Sequence, residues 1–247
     1  MLPPLVALAD LTRIPVPRTS RAGAADHARA VPWYPAAGLV IGVLLVTTAF
    51  LLQGLPVFLV AIAVTGLWIG LTGARHLQGL ADTADGFIGG YGNRRRILRI
   101  MRDRQGGMGA LAAVILVVLA KAFAVGCLLH HQQWASLLAA PVAGRVLLGG
   151  ILATTPHVPD DPGDLPLFPH LDRAAVMAGI LAGALLLGAA MTGGLAALAV
   201  LAVLAGLLRW ASKQALGGFN SDILDTACEL GELAALGAAL WGAGACL

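Results

Sequence analysis

The chain is 247 residues long, 58% hydrophobic and only 12% charged, with a formal net charge of +3. Ordinary soluble domains carry about 25% charged residues, so a soluble globular domain is excluded: the charges are too few to dress a surface, and the apolar side chains exceed what one core buries. Disorder, which needs a polar and charge-rich chain, is excluded by the same numbers.

Crossing about 30 Å of hydrocarbon takes roughly 20 apolar residues. In chain order the runs that meet this are Ala36 to Leu52, Leu55 to Gly73, Gly109 to Leu129, Trp134 to Thr154, Ala174 to Met191, Gly193 to Leu208 and Leu230 to Leu247. Their continuous apolarity lacks the alternation of a membrane barrel, so the expected fold is all-α: a polytopic transmembrane helix bundle of about seven spans, forming a single domain over residues 1–247. Glycines spaced as in Gly179-Ile-Leu-Ala-Gly183 suit close helix packing. Cys127, Cys228 and Cys246 are too scattered for a zinc site or a disulfide framework.

Seven spans divide the connecting segments between two sides. Of the 16 Lys and Arg, 14 fall in the N-terminal segment, 74–108, 155–173 and 209–229, and the other two, Lys121 and Arg145, lie inside spans. Basic residues gather on the cytoplasmic side, which places these segments there; the expected location is a cell (inner) membrane. The carboxylates follow them: twelve of the 13 lie in or at the edge of the same segments, and Glu232 lies about one turn inside the last span. A carrier distributes polar groups across several spans. Stacking them at one face points instead to chemistry at the cytoplasmic membrane surface, carried by the loops.

The densest polar stretch runs from Arg75 to Arg104. Asp82 and Asp85 stand three apart, on one face if helical. Two adjacent carboxylates repel unless a cation lies between them, so the pair suggests Mg²⁺; a helix cap or a salt bridge to the nearby arginines is the plainer reading of the same spacing. His76 is positioned to reach the same face, and Gly79, Gly86, Gly89 and Gly90 allow backbone to approach a ligand. The basic stretch Arg94, Arg95, Arg96, Arg99 and Arg102, interleaved with Ile97, Leu98, Ile100 and Met101, suits either anionic lipid headgroups or a phosphate-bearing substrate. Asp103 and Arg104 close the segment.

After the sixth span, Gly217-Gly218-Phe-Asn220-Ser221-Asp222 reads as a turn with a helix cap at Asn220 or Ser221. Asp222, Asp225, Glu229 and Glu232 then follow at spacings of 3, 4 and 3, one helical face running into the membrane. They form either an acidic wall of a phosphate site or a set of buried structural pairs. Glu232 needs a partner in the bilayer, and Lys121 and Arg145 are the cations available to it.

At these motifs the chain resembles the cobalamin synthase (adenosylcobinamide-GDP ribazoletransferase) family over nearly its whole length. Leu11-Thr-Arg13-Ile-Pro15-Val-Pro17 and Tyr34-Pro35-Ala-Ala-Gly38-Leu-Val-Ile-Gly42 look like the family's opening signatures. His76-Leu-Gln-Gly79-Leu-Ala-Asp82-Thr-Ala-Asp85-Gly86 is similar to its His-x-Asp-Gly-Leu-Ala-Asp-x-x-Asp-Gly element, with Gln78 in place of the first Asp. Ile100-Met-Arg-Asp103 and Leu119-Ala-Lys121 follow in register, Arg145 stands where the family has a Ser-Arg pair, and Leu216 to Glu232 resembles the closing Gly-Gly-x-Thr-Gly-Asp element, with Asn220-Ser221-Asp222 for Thr-Gly-Asp.

The resemblance implies an enzyme that joins α-ribazole or its 5′-phosphate to adenosylcobinamide-GDP with release of GMP. Its expected site comprises Asp82, Asp85, Asp103 and Asp222 as catalytic carboxylates, Asp82 and Asp85 holding Mg²⁺, and His76, Arg102, Arg104, Arg145, Gly86 and Gly218 against substrate and phosphate. The expected partners are those two small molecules and the lipid bilayer, with no nucleic acid. A CDP-alcohol phosphotransferase shares Asp-x-x-Asp-Gly, but its Ala-Arg and two further spaced aspartates do not follow Gly86 here. A membrane transporter is the non-enzymatic alternative.

Overall fold

In hydrocarbon the backbone has no water to bond, and the apolar runs satisfy it internally as helices. The computed structural model describes residues 2–16, 22–103, 106–158 and 170–244, and among them there is one isolated β-bridge, between His157 and Phe219, and no strand. The elements are α1 (Pro3–Leu11), α2 (Ala24–Ala30), a 3₁₀ turn (Val31–Trp33), α3 (Tyr34–Leu51), α4 (Val57–Thr72), α5 (Arg75–Gly90), α6 (Arg94–Asp103), α7 (Met108–His130), α8 (Trp134–Thr154), α9 (Arg173–Ala190), α10 (Gly194–Leu216) and α11 (Ser221–Gly242).

Local chemistry explains where these helices begin and end. Pro35 occupies the first turn of α3, where its missing N–H costs nothing. Asp172 caps α9, its carboxylate accepting from the Ala174 and Ala175 amides at 3.0 and 3.1 Å. Asn220 caps α11 by accepting from the Ile223 amide at 3.1 Å, as the sequence led us to expect. Gly217, at φ 83°, ends α10 in the left-handed region that glycine enters without strain.

Each of the seven expected spans falls on a helix, but not all seven have the length and apolarity to cross a membrane. Five do: the continuous helical stretch 24–51, α7, α8, α9 and α10. The second expected span is only the 16 residues of α4, about 24 Å at 1.5 Å per residue. Gly73 and Ala74, both left-handed at φ 63° and 56°, then turn the chain by 85° into α5, and the bent pair counts as at most a sixth crossing. The last expected span begins nine residues earlier than its apolar core, as α11, because Asp222, Asp225, Glu229 and Glu232 are wound into the helix. Its 22 residues are long enough to cross, yet too charged to do so against lipid.

Helix α8 is the hub. It is buried along most of its length and packs against α3, α9, α10 and α11. Small residues bring the backbones together, as helix association in lipid requires. A Cβ on Gly42 of α3 would strike the Leu138 carbonyl of α8, and Gly144 of α8 lies against Gly231 of α11, where an added Cβ on Gly231 would stand 3.0 Å from the Gly144 Cα.

These contacts set a stability prediction. Gly42→Val forces α3 off α8 and destabilises the purified protein by about 1–3 kcal/mol or more. Gly237→Ala, on a face of α11 with nothing within 4 Å, leaves stability unchanged or slightly raised. Thermal unfolding of both variants in detergent checks the contrast.

Candidate functional site

The site lies where α5 crosses α11. Gly79 permits the approach, since a Cβ there would strike the Asp225 side chain, and Thr226 Oγ1 donates to the Gly79 carbonyl at 3.3 Å. His76 is buried, at 1% exposure, with its Nδ1 2.7 Å from Asp225 Oδ1. Arg75 approaches the other Asp225 oxygen at 3.8 Å and donates to the Asp10 carbonyl at 3.0 Å. This ties α1 to the start of α5. The Asp10 carboxylate in turn meets His27 Nδ1 at 2.9 Å and the Tyr34 hydroxyl at 3.3 Å. Burial raises the Asp10 pKa above its ordinary value, and His27 only partly offsets this.

Deeper along α11 is a buried cluster of charges. Lys121 of α7 donates to Glu229 at 2.6 Å and to Glu232, and its ammonium sits 4.7 Å from the centre of the Trp68 ring. Arg145 of α8, wholly buried, donates to the other Glu232 oxygen and to the Pro141 carbonyl at 3.1 Å. Trp68 of α4 completes the shell of Glu232 with an indole N–H at 3.3 Å. Two cations thus balance two anions. Glu232 takes both partners expected for it from sequence. Arg145, expected against substrate phosphate, instead faces a carboxylate inside the bundle.

Nearer the end of α5 the pattern changes. Asp82 is 4% exposed, and both its oxygens accept from the Gln78 amide nitrogen, each at 3.0 Å. Asp85 accepts from the Gly107 amide and, at 2.7 Å, from the Ala110 amide, so it caps the start of α7. Among the described residues neither carboxylate has a cationic side chain as partner. Asp222 is half-buried in the first turn of α11 and accepts from the Asn220 amide at 3.3 Å. Asp103 and Arg102 are exposed at the end of α6, and Arg104 lies outside the described residues.

The two expected glycines serve packing. A Cβ on Gly86 would stand 2.5 Å from Met101 of α6, and one on Gly218 would strike the Pro156 carbonyl. Gly218 flanks a short bridge in which Phe219 donates to Pro156 at 2.8 Å and Val158 donates to Phe219 at 2.7 Å. Among the described residues no group of three or more His, Cys, Asp or Glu is gathered as a metal cage. The structure thus brings His76 and Asp225 together, pairs Lys121 with Glu229 and Glu232 and Arg145 with Glu232, and gives Asp82 and Asp85 separate polar partners. Sequence reasoning missed the His76–Asp225 pair, the Gln78 bond and Trp68. Two histidine-to-aspartate positions 149 apart carry no local signal, and a lone tryptophan in an apolar run looks like any other.

The charge cluster predicts its own cost of disruption. Lys121→Met leaves Glu229 and Glu232 with too little positive charge and destabilises the fold by about 3–5 kcal/mol. Adding Glu229→Gln to that variant recovers much of the loss, because the two changes act on one pair. A double-mutant cycle read by thermal unfolding in detergent measures this coupling.

Residues 4–240 match the family described as CobS, cobalamin-5-phosphate synthase. Among curated proteins the chain is 41% identical over 239 residues to an adenosylcobinamide-GDP ribazoletransferase of Ectopseudomonas mendocina (strain ymp), covering 96% of this chain and 97% of the relative. It is 39% identical to the protein of that name from Stutzerimonas stutzeri (strain A1501), covering 96% of each. The one from Pseudomonas putida (strain GB-1) is 40% identical over 243 residues, 97% of this chain and 99% of its own. No solved structure matches. With the match running almost end to end, the chain belongs to the cobalamin-5-phosphate synthase family.

Proposed function

We propose that the protein joins α-ribazole, or its 5′-phosphate, to adenosylcobinamide-GDP and releases GMP, as a transferase of cobalamin biosynthesis. The observation that carries this is the near-complete match to relatives named for that activity, at 39–41% identity. In the reaction a free ribose hydroxyl attacks the cobinamide-side phosphorus and the bond to the GMP phosphate breaks. Such a transfer needs charge balance and in-line positioning more than covalent help.

The residues of α5 fit a divalent cation. A carboxylate as buried as Asp82 with only a neutral amide as partner is costly unless a positive charge arrives from elsewhere. Mg²⁺ is held by one or two carboxylates, with water and substrate phosphates completing its shell, so a dedicated cage of three side chains is not required. Asp82 and Asp85 would hold the ion, which neutralises charge on the diphosphate when bound. The chain's own groups do the rest. Asp103 or Asp222 accepts the proton of the attacking hydroxyl. Arg102 and Arg104 balance the phosphates through charge-assisted hydrogen bonds. His76, fixed by Asp225, holds α5 against α11 so that both sides of the site keep their spacing.

The site faces the cytoplasm of an inner membrane in this proposal. What supports it is the distribution of basic residues: with Lys121 and Arg145 committed to buried carboxylates, the other 14 Lys and Arg lie outside the expected spans, and they fall on one side when the bent α4–α5 pair counts as a crossing.

The test is GMP release from adenosylcobinamide-GDP by the purified protein in liposomes, dependent on both α-ribazole and Mg²⁺ and abolished by EDTA. A CDP-linked alcohol substrate gives no turnover. Asp82→Asn and Asp85→Asn each lower kcat by about 100-fold or more. Asparagine caps a helix as well as aspartate does, so Asp85→Asn keeps its unfolding temperature while losing activity. Full turnover in either variant overturns the proposed roles.

A further inference from the structure

Helix α6 is short, strongly basic and turned outward. Arg94, Arg95, Arg96, Arg99 and Arg102 are all exposed, and among the described residues none of them forms an ion pair with a carboxylate. The other face is apolar and seated: Ile97 and Met101 are buried against Gly90 and Gly86 of α5, where added Cβ atoms would strike both side chains. Five like charges on ten residues repel one another, and on the helix itself only Asp103, at its end, offsets them, so α6 is held in place from below by its apolar face.

Its level relative to the bilayer follows from the cap on α7. Asp85 binds the first amides of α7, a helix long and apolar enough to cross the membrane. The stretch of α5 immediately after Asp85 is the one on which α6 sits. Helix α6 therefore lies beside the point where α7 enters hydrocarbon. Large apolar side chains flank it at the same place: Ile88 is 64% and Met108 79% exposed, and Ile100 lies next to Gly89. Exposed apolar side chains beside a row of guanidiniums match a surface that is greasy below and anionic above.

We propose that α6 is an interfacial helix that binds the headgroups of anionic phospholipids, with Arg94, Arg95 and Arg99 as its main contacts. Each such arginine is drawn to an anionic surface, and the attraction is lost when salt screens it. Bound in this way, α6 is pressed onto Gly86 and Gly90, which keeps Asp103 at the end of α6 and Asp85 beneath it in a fixed relation. This inference does not depend on the reaction proposed above.

Trypsin reads the contact directly, because it cleaves after these arginines. The full chain is placed in nanodiscs of phosphatidylglycerol or of phosphatidylcholine, and cleavage after Arg94, Arg95 and Arg99 is measured relative to cleavage after the exposed Lys213 of α10. The expected result is cleavage slowed about tenfold or more in phosphatidylglycerol, with the difference removed by about 1 M NaCl. In the Arg94→Gln, Arg95→Gln, Arg99→Gln triple variant, the remaining sites at Arg96 and Arg102 lose their protection by phosphatidylglycerol, while the unfolding temperature is kept because the seated face is untouched. Equal relative cleavage in the two lipids overturns the proposal. So does protection in phosphatidylcholine discs by inorganic pyrophosphate with none from phosphatidylglycerol, which would assign the arginines to a diphosphate substrate.

Discussion

Burying carboxylates inside an apolar bundle is tolerable only when cations meet them there, and that constraint organises this protein. Glu229 and Glu232 enter the bundle on α11, Lys121 reaches them from α7, Arg145 from α8 and Trp68 from α4. One cluster thus joins four helices. Its geometry also fixes the rotation of α11: with Glu232 and Glu229 pointed at their partners, Asp225 on the same face is pointed at α5.

The acidic groups consequently sort by depth and neighbour. Within the bundle each is neutralised: Glu232 by two cations, Glu229 by Lys121, and Asp225 by contact with His76 and Arg75. Along α5 the neutralisation stops at Asp82 and Asp85, which have amide donors in place of cations. An amide orients a carboxylate without cancelling its charge. In the function proposed above, this electronegative pair is what a divalent ion would meet. Gln78 orients Asp82, and as an amide where the family motif has a carboxylate it also keeps one negative charge out of the site.

Much of this was legible in the sequence, and what was not has a physical reason. Helical spans, the cap at Asn220 and the need of Glu232 for Lys121 and Arg145 all follow from rules that act over short distances or from the high cost of charge in lipid. The second span is the exception: the backbone break at Gly73 and Ala74 shortens it to the 16 residues of α4, and mean apolarity does not announce that break. Arg145 shows the limit for site residues. Its position in a motif suggested phosphate binding, whereas burial and the approach of α11 gave it a carboxylate partner. Gly86 and Gly218 likewise sit in functional motifs and act by letting α6 and the 155–158 segment pack closely. The pairing of His76 with Asp225 needed the α5–α11 crossing itself, which no local pattern encodes.

In the proposed function, the charge on α5 that lacks a cationic side chain is the seat of a divalent ion. Electron paramagnetic resonance of Mn²⁺ added to the detergent-solubilised protein with inorganic pyrophosphate addresses it without any need for turnover. Bound Mn²⁺ is expected in the unaltered chain, and little or none in the Asp82→Asn variant at the same concentrations. Equal Mn²⁺ binding by the two proteins would contradict it.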